Sequence, residues 1–471
     1  MENKRFVSKG TGRSSDKTAR GMKTENEREI ALDILMEVLE KGAFSHVVLN
    51  QALNKYQYMT KQERSFITRT VEGTLENKIQ MDYVLDSCSK TKVHKMKPLI
   101  RTLLRMSVYQ ILYMDRVPDS AVCNEAVKLA VKRRFAGLKG FVNGVLRTVS
   151  REKGNFIWPD LSVRYSMPQW ILDMWTAEYG PERTENIVKS FFEEKSTTVR
   201  CNLNKASREE ILKSLHSQDV RTECPEGYEN LIYLKKYDYL ESLEAFEKGL
   251  IQVQDMSSSQ VGLAASPKKG DYIIDVCGAP GGKSLHLADM LAGTGTVDVR
   301  DISDQKVAMI EENIERTGLA NVKTKIWDAL ERDENSIGKA DIVIADLPCS
   351  GLGIIGRKPE IKYHASLEGI RELAGLQRQI LSVVQEYVKP GGLLVYSTCT
   401  INSMENEENA RWFAENYPFE AVDMTGRLGL AASAAGTEET AKEGFVQLLP
   451  DRNLCDGFFI SLFRKKESQD T

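Results

Sequence analysis

Three features of the 471-residue sequence predict an α + α/β multidomain chain. Apolar residues recur at helical spacing throughout residues 26–150, and a strand-like alternation follows a proline-bounded connector. Beyond residue 250, short apolar strands alternate with helical segments. The last pattern implies a parallel, doubly wound sheet, a fold whose ligands sit beyond the carboxyl ends of its strands.

Residues 1–25 (MENKRFVSKGTGRSSDKTARGMKTE) are basic, polar and nearly devoid of apolar side chains, the composition of a disordered tail. It is read equally as a segment that brushes RNA phosphates and as a solvated leader. Residues 26–150 form an all-helical domain. Ala31, Ile34, Leu35, Val38 and Leu39 mark one helix closed by Gly42, and Ile100, Leu103, Leu104, Val108, Ile111 and Leu112 mark another. A further helix runs from about Ala121 to Arg134 behind Pro118, Asp119 and Ser120, and ends in Lys132, Arg133 and Arg134. Cations at a helix C-terminus compensate its dipole, and pattern by itself favours that role for the run over a binding site.

Residues 151–167 are a connector containing Pro159, and residues 168–250 form a small α/β subdomain. Within it TTVRCNLN alternates like a strand, and Ser207 with Glu210 makes a capping box that opens a helix through Ile211, Leu212 and Leu215. Residues 251–466 hold the sheet domain, with YIIDV, TVDVRD, ADIVIADLP and GGLLVYST as strands that each end in a loop of small or reactive residues.

Composition narrows the function classes. Apolar content of 41% and charged content of 28% are those of an ordinary globular chain, and a net charge of −3 requires any basic surface to be local. No window approaches the ~18 uninterrupted apolar residues of a membrane span, and the amino terminus lacks a secretory apolar core. A cytoplasmic protein with no membrane association is expected. Eight cysteines without any C-x-x-C pair suggest neither a metal cluster nor a disulfide framework.

The stretch DVCGAPGGKS (residues 275–284) opens the chemistry. A phosphate-cradling loop needs G-x-x-x-x-G-K-S/T. Gly282, Lys283 and Ser284 supply its end, but Cys277 stands where the first glycine belongs, and Pro280 removes an N–H from the middle. The glycines Gly278, Gly281 and Gly282 instead permit a tight turn against a ligand. Asp301, about 20 residues on at the end of the next strand, stands where a carboxylate reaches ribose hydroxyls. Asp328 follows the third strand at the same edge, near an adenine. A nicotinamide enzyme would show G-x-G-x-x-G to receive a pyrophosphate, and this spacing is missing. S-adenosyl-L-methionine, which carries no phosphate, fits the turn and the acids.

Two cysteines stand at strand ends: Cys349 in ADLPCSG and Cys399 in VYSTCT. Adjacent strands would bring both to one cleft. A thiol beside a methyl donor suits methylation of a pyrimidine at carbon 5, because that carbon is a poor nucleophile until a thiolate adds to carbon 6. One cysteine attacks and another group assists its departure. Asp346, three residues before Cys349, is placed to contact base or cofactor. Residue logic alone does not rank the two thiols.

VQDMSSS (253–259), DVCGAPGGKS, ADLPCSGLG (345–353), GRKPEIKY (356–363), VYSTCT (395–400) and DGFFISLFRK (456–465) resemble, in order and spacing, the motifs of the RNA cytosine-5 methyltransferases. The helical region, from REIALDILMEVLEKGAFSHVVLNQAL to KGFVNGVLRTV, resembles the NusB-type RNA-binding domain. Together they resemble the RsmB (Sun/Fmu) type of 16S rRNA methyltransferase. The resemblance implies a NusB-like domain and a Rossmann-like methyltransferase sheet acting on 16S rRNA or an assembling small subunit; a monomer is expected, although the sequence does not encode the oligomeric state. It places the cofactor turn on Cys277, Gly278, Ala279, Pro280, Gly281, Gly282 and Lys283, with Asp301, Asp328 and Asp346 around it. It makes Cys399 the nucleophile and Cys349 the group that assists release. Arg357, Lys358 and Lys362 are read equally as contacts to RNA phosphates and as a solvated loop, and under the resemblance the Lys132, Arg133 and Arg134 run shifts toward RNA contact. Gly278 and Ser284 depart from the family's more frequent alanine and threonine. Catalytic motifs do not encode the target, so a tRNA or other RNA cytosine-5 methyltransferase is the alternative, as is a non-catalytic RNA-binding protein with a vestigial fold.

Overall fold

The computed structural model describes residues 26–193, 196–429, 437–451 and 455–467, so the tail at residues 1–25 lies outside the described residues. The amino-terminal domain is built from α-helices Glu27–Lys41, Ser45–Lys55, Lys61–Glu76, Lys78–Cys88, Pro98–Tyr113, Asp119–Lys132 and Lys139–Glu152. The first is capped by Asn26, which accepts from the Arg28 N–H, and closed by Gly42 at φ 77°. Helix Pro98–Tyr113 is the central one: Leu103, Leu104, Val108 and Ile111 are fully buried against Leu32, Leu35, Val71 and Leu146. The helix expected from Ala121 begins earlier, at Asp119, because Pro118 takes the cap position and needs no N–H partner there.

The basic run at that helix end is not a free cationic patch. Lys132 donates to Glu29 at 2.5 Å and Arg133 to Asp33 at 2.6 Å, so both charges are met by carboxylates of the first helix. Arg134 lies past the helix end at φ 70° and is exposed.

Residues 168–250 divide between two cores. Helices Gln169–Tyr179 and Pro181–Ser190 bury Trp175, Ile187 and Phe191 against Leu352, Ile355 and Ile401 of the carboxyl-terminal domain. The rest forms an antiparallel sheet of β1 (Thr197–Cys201), β2 (Arg221–Glu223), β3 (Leu231–Lys235) and β4 (Ile251–Val253), in the order β2-β3-β1-β4. Helix Arg208–Ser217, opened by the Ser207–Glu210 capping box with both of its bonds present, packs Ile211 and Leu215 against Val199 and Ile232.

The carboxyl-terminal sheet holds five parallel strands: β5 (Tyr272–Asp275), β6 (Thr296–Asp301), β7 (Val322–Ile326), β8 (Ala340–Asp346) and β9 (Val388–Thr398). Their spatial order β9-β8-β5-β6-β7 reverses between β5 and β8, and the crevice at that switch point is where such sheets bind ligands. The sheet is mixed, which the alternation of strands and helices did not indicate. β12 (Phe458–Lys465) runs antiparallel to β9, and β10 (Phe419–Ala421) and β11 (Phe445–Leu448) pair antiparallel with its other edge. An antiparallel partner needs no helical crossover, so the strand–helix rhythm ends before these strands begin.

The GRKPEIKY segment ties the two large domains together. Glu360 is 0% exposed, and its carboxylate accepts from the Ser45 N–H at 2.9 Å and the Ser45 hydroxyl at 2.8 Å. Lys362 is 2% exposed and donates to the Glu76 carbonyl at 2.8 Å, while the Tyr363 hydroxyl donates to the Leu75 carbonyl at 2.8 Å. Burial pulls the Lys362 ammonium down to about 7 although the Glu76 carboxylate holds it up. The expectation that Lys362 meets RNA phosphate is therefore corrected: it is an interdomain residue, because a helix end covers it.

Candidate active site

The loop after β5 is held from beneath by carboxylates. Asp275 is fully buried and accepts from the Ser284 hydroxyl; burial raises it to about 7, against that hydrogen bond and with Asp346 adding to the rise. The Gly278 N–H donates to the Arg300 carbonyl at 2.8 Å and the Ala279 N–H to the Asp301 carboxylate at 3.0 Å. The Ala279–Pro280 bond is cis, and Gly281 at φ 104° turns the chain into helix Gly282–Met290. A Cβ on Gly278 would lie 2.3 Å from Val299 Cγ1 on β6, so an alanine here requires Val299 to yield.

This loop walls a cavity of about 260 Å³. Cys277, Gly278, Ala279, Pro280, Gly282, Lys283 and Asp346 line it, together with Thr197 and Thr198 at the start of β1 and Gln254 just after β4. Lys283 donates to Asp346 at 2.7 Å; burial disfavours its charge, but Asp346 outweighs burial and the lysine is held protonated above its ordinary range. The Ser397 hydroxyl donates to the other Asp346 oxygen at 2.7 Å. Burial, reinforced by Asp275, Asp301 and Asp346, pushes the Cys277 thiol far up, so this cysteine of the loop stays protonated and unreactive.

The other expected site residues distribute unevenly. Asp301, 4% exposed, lies behind the loop, where it also accepts from Ile302 N–H and pairs with Lys306. Asp328 stands beyond β7 with its carboxylate accepting from the Leu330 N–H, and neither aspartate is among the cavity's lining residues. Arg357 does line it, clamped between Asp456 at 2.5 Å and Asp255 at 2.8 Å, which corrects its assignment to RNA phosphate. Those two aspartates were not singled out, although both stand inside quoted motifs, VQDMSSS and DGFF. Lys358 is half-buried.

The strand ends bring the two thiols together: Cys349 Sγ and Cys399 Sγ are 3.3 Å apart and not bonded as a disulfide. Their environments differ. The hydrogen bond from Cys349 lowers the Cys399 thiol, with help from the Lys283 and Lys358 charges and against burial and Asp346. That same contact, then burial and the Glu405 charge, raises Cys349. The contact thus favours the proton on Cys349 over Cys399.

The loop around Cys349 rests on Glu405, a fully buried carboxylate that sequence reading missed because it sits in an unremarked polar run, INSMENEEN. It accepts from the Ser350 N–H at 2.8 Å, from the Ser350 hydroxyl and from Gln377 and Asn402 amides. On the other side, the Gly353 N–H donates to the Cys399 carbonyl at 3.0 Å, and Gly353 packs so closely that a Cβ would lie 2.1 Å from the Gly457 carbonyl oxygen. Both thiols are therefore carried by rigid backbone. Among the described residues no group of three or more His, Cys, Asp or Glu side chains is arranged to hold a metal ion, and no helix is long and apolar enough to cross a membrane.

Comparison with known proteins matches this architecture domain by domain. Residues 263–464 match the family described as 16S rRNA methyltransferase RsmB/F, residues 25–151 the NusB family, and residues 167–239 the RsmF/B-like methyltransferase ferredoxin-like domain. The chain is 35% identical over 452 residues to the probable ribosomal RNA small subunit methyltransferase B of Bacillus subtilis (strain 168), covering 94% of this chain and 100% of that one. It is 30% identical to the corresponding probable methyltransferase of Synechocystis sp., covering 93% of this chain and 99% of that one. Among solved structures, that of PH0851 superposes with a TM-score of 0.80 at 25% identity over 93% of this chain and 99% of that one. NSun6 from Pyrococcus horikoshii, solved with SFG, superposes with a TM-score of 0.57 at 23% identity over 64% of this chain and 99% of that one. The three matched segments, in this order and over nearly the whole chain, place it in the RsmB-type family of S-adenosyl-L-methionine-dependent ribosomal RNA methyltransferases, with a NusB-like amino-terminal domain.

Proposed function

We propose that the chain methylates carbon 5 of a cytosine in 16S rRNA through a covalent adduct between Cys399 and cytosine carbon 6. The observation that carries this reading is the 3.3 Å contact between two thiols with opposed proton affinities at the ends of adjacent strands. S-adenosyl-L-methionine supplies an electrophilic methyl group when bound, and the loop Cys277–Lys283 with Asp301, Asp328 and Asp346 would hold it. Small side chains leave the loop backbone open to a ligand, and the carboxylates suit ribose and a sulfonium but repel a phosphate, so the residues fit this cofactor.

Cys399 attacks as thiolate, the reactive form. Its sulfur bonds to carbon 6, and the pyrimidine electrons moved toward carbon 5 make that carbon nucleophilic enough to take the methyl group. The largest influence holding the proton on Cys349 is the Cys399 contact, and this is lost once the Cys399 charge has gone into the new bond. Cys349 then loses its proton to solvent more readily and can accept the carbon 5 proton, whereupon the ring double bond reforms and Cys399 leaves as thiolate. Asp346, steadied by Lys283 and Ser397, faces the reacting base.

Three tests follow from the chemistry. Tritium from labelled S-adenosyl-L-methionine should appear at one cytosine of small-subunit rRNA taken from cells lacking the protein; label in tRNA alone would keep the chemistry and overturn the ribosomal target. The acid limb of kcat/KM against pH reports the attacking thiol: its folded value is depressed, so the rate is full above that value and falls as pH drops through it. The midpoint should lie below the ordinary thiol value of ~8.5, and Cys349→Ala, which removes the donor, should move it upward. Asp301→Ala should weaken cofactor binding about 10- to 100-fold by calorimetry, from loss of charge-assisted hydrogen bonds worth ~1.5–3 kcal/mol.

A further inference from the structure

We propose that Phe44 and His46, at the start of helix Ser45–Lys55, form a stacking platform for a base of the RNA strand beside the target nucleotide, with Lys358 facing the strand's phosphate. This rests on the RNA-methylating reading above. Phe44 is 55% exposed, an uncommon state for a large aromatic side chain, and its ring lies 6.0 Å from the exposed His46 ring at 48°. Between the two, Ser45 is buried and doubly bonded to the fully buried Glu360. The fold thus fixes the residue between them while Phe44 and His46 stay exposed at the surface.

The platform's position ties it to catalysis. Glu360 follows Arg357, a cavity-lining residue, by three positions, so the clamp lies within roughly 10 Å of the cavity wall along the chain. Lys358, between them, is half-buried and forms no ion pair among the described residues. Its charge acts on both the Cys399 thiol and the His46 imidazole, so it lies within electrostatic reach of the reacting centre and of the platform. Burial first, and Lys358 second, lower the His46 imidazole, so the ring presents a neutral face at neutral pH. Unpaired RNA bases are held by stacking on such faces while a nearby cation meets the phosphate.

The larger cleft nearby suits RNA less well. It measures about 1200 Å³ and reaches Arg357, but its Lys61 and Arg64 pair with Asp238 and its walls carry Glu72, Glu76 and Glu241. A phosphate strand would meet carboxylates there.

The test compares wild type, Phe44→Ala and Phe44→Trp. Phe44→Ala should lower kcat/KM for small-subunit rRNA by roughly 10- to 100-fold, chiefly through KM, with S-adenosyl-L-methionine affinity unchanged, and Phe44→Trp should restore it. Titrating Phe44→Trp with small-subunit rRNA should quench tryptophan fluorescence beyond the change in wild type. Wild-type kinetics in Phe44→Ala, or no excess quenching at RNA concentrations that saturate binding, overturns the platform. A response to purified small-subunit proteins but not to RNA also overturns it, since the rings would then dock protein. If the wild-type protein methylates no RNA, the functional reading fails, and the fluorescence titration still decides the platform separately.

Discussion

Cys399→Ala should reduce methyl transfer by roughly 10⁴-fold or more, while cofactor affinity stays within about twofold of wild type. In the proposed mechanism the substitution removes the group that activates carbon 5, and no other described thiol can replace it. Cys277 is held protonated by burial and three carboxylates, and Cys349 is held protonated by its neighbour and by burial. The hydrogen bonds that hold the cofactor loop run from Gly278 to Arg300, from Ala279 to Asp301 and from Ser284 to Asp275, and none of them involves the Cys399 side chain. Single-turnover transfer of labelled methyl to rRNA, with calorimetric titration of S-adenosyl-L-methionine in parallel, measures both quantities. A variant retaining a tenth of wild-type transfer would remove Cys399 from the attacking role.

Cys349→Ala should do the opposite of a silent knockout: it should accumulate protein joined to RNA. Attack and methyl transfer need only Cys399, whereas release needs a base for the carbon 5 proton. Loss of a positioned proton acceptor slows a step by about 10²–10⁴-fold, long enough for the adduct to survive denaturing electrophoresis as a slowly migrating, methyl-labelled band. The double variant Cys399→Ala with Cys349→Ala should show no such band, which distinguishes a covalent adduct from tight binding. Cys349→Ala turning over at the wild-type rate would assign release to another group.

The strands of the parallel sheet and their loops were legible in the sequence because each apolar run ends in a distinct reactive or small-residue turn. So was the pairing of the Cys349 and Cys399 loops, because parallel neighbours carry their carboxyl ends to one edge. What stayed hidden depends on contacts between distant segments. Lys362 looks like any basic residue in a polar loop until the end of helix Lys61–Glu76 is laid on it. Arg357 likewise reads as a phosphate ligand until Asp255 and Asp456, 102 and 99 residues away, close on it from both sides. Lys132 and Arg133 read from pattern as dipole compensation at their own helix end, and the carboxylates that meet them belong to another helix. Charge in a sequence marks a need for a partner without stating whether that partner is RNA or the chain itself.

The bond between Ser45 and Glu360 joins residues 315 positions apart, and that separation becomes a time when the protein is made. At translation rates of about 5–20 residues per second, the helical domain emerges roughly a quarter-minute to a minute before its carboxylate partner exists. During that interval the Ser45 N–H and hydroxyl have only water or another molecule to bond. A nascent chain therefore presents the Ser45 side of this seam for a time before the segment that closes it has been made.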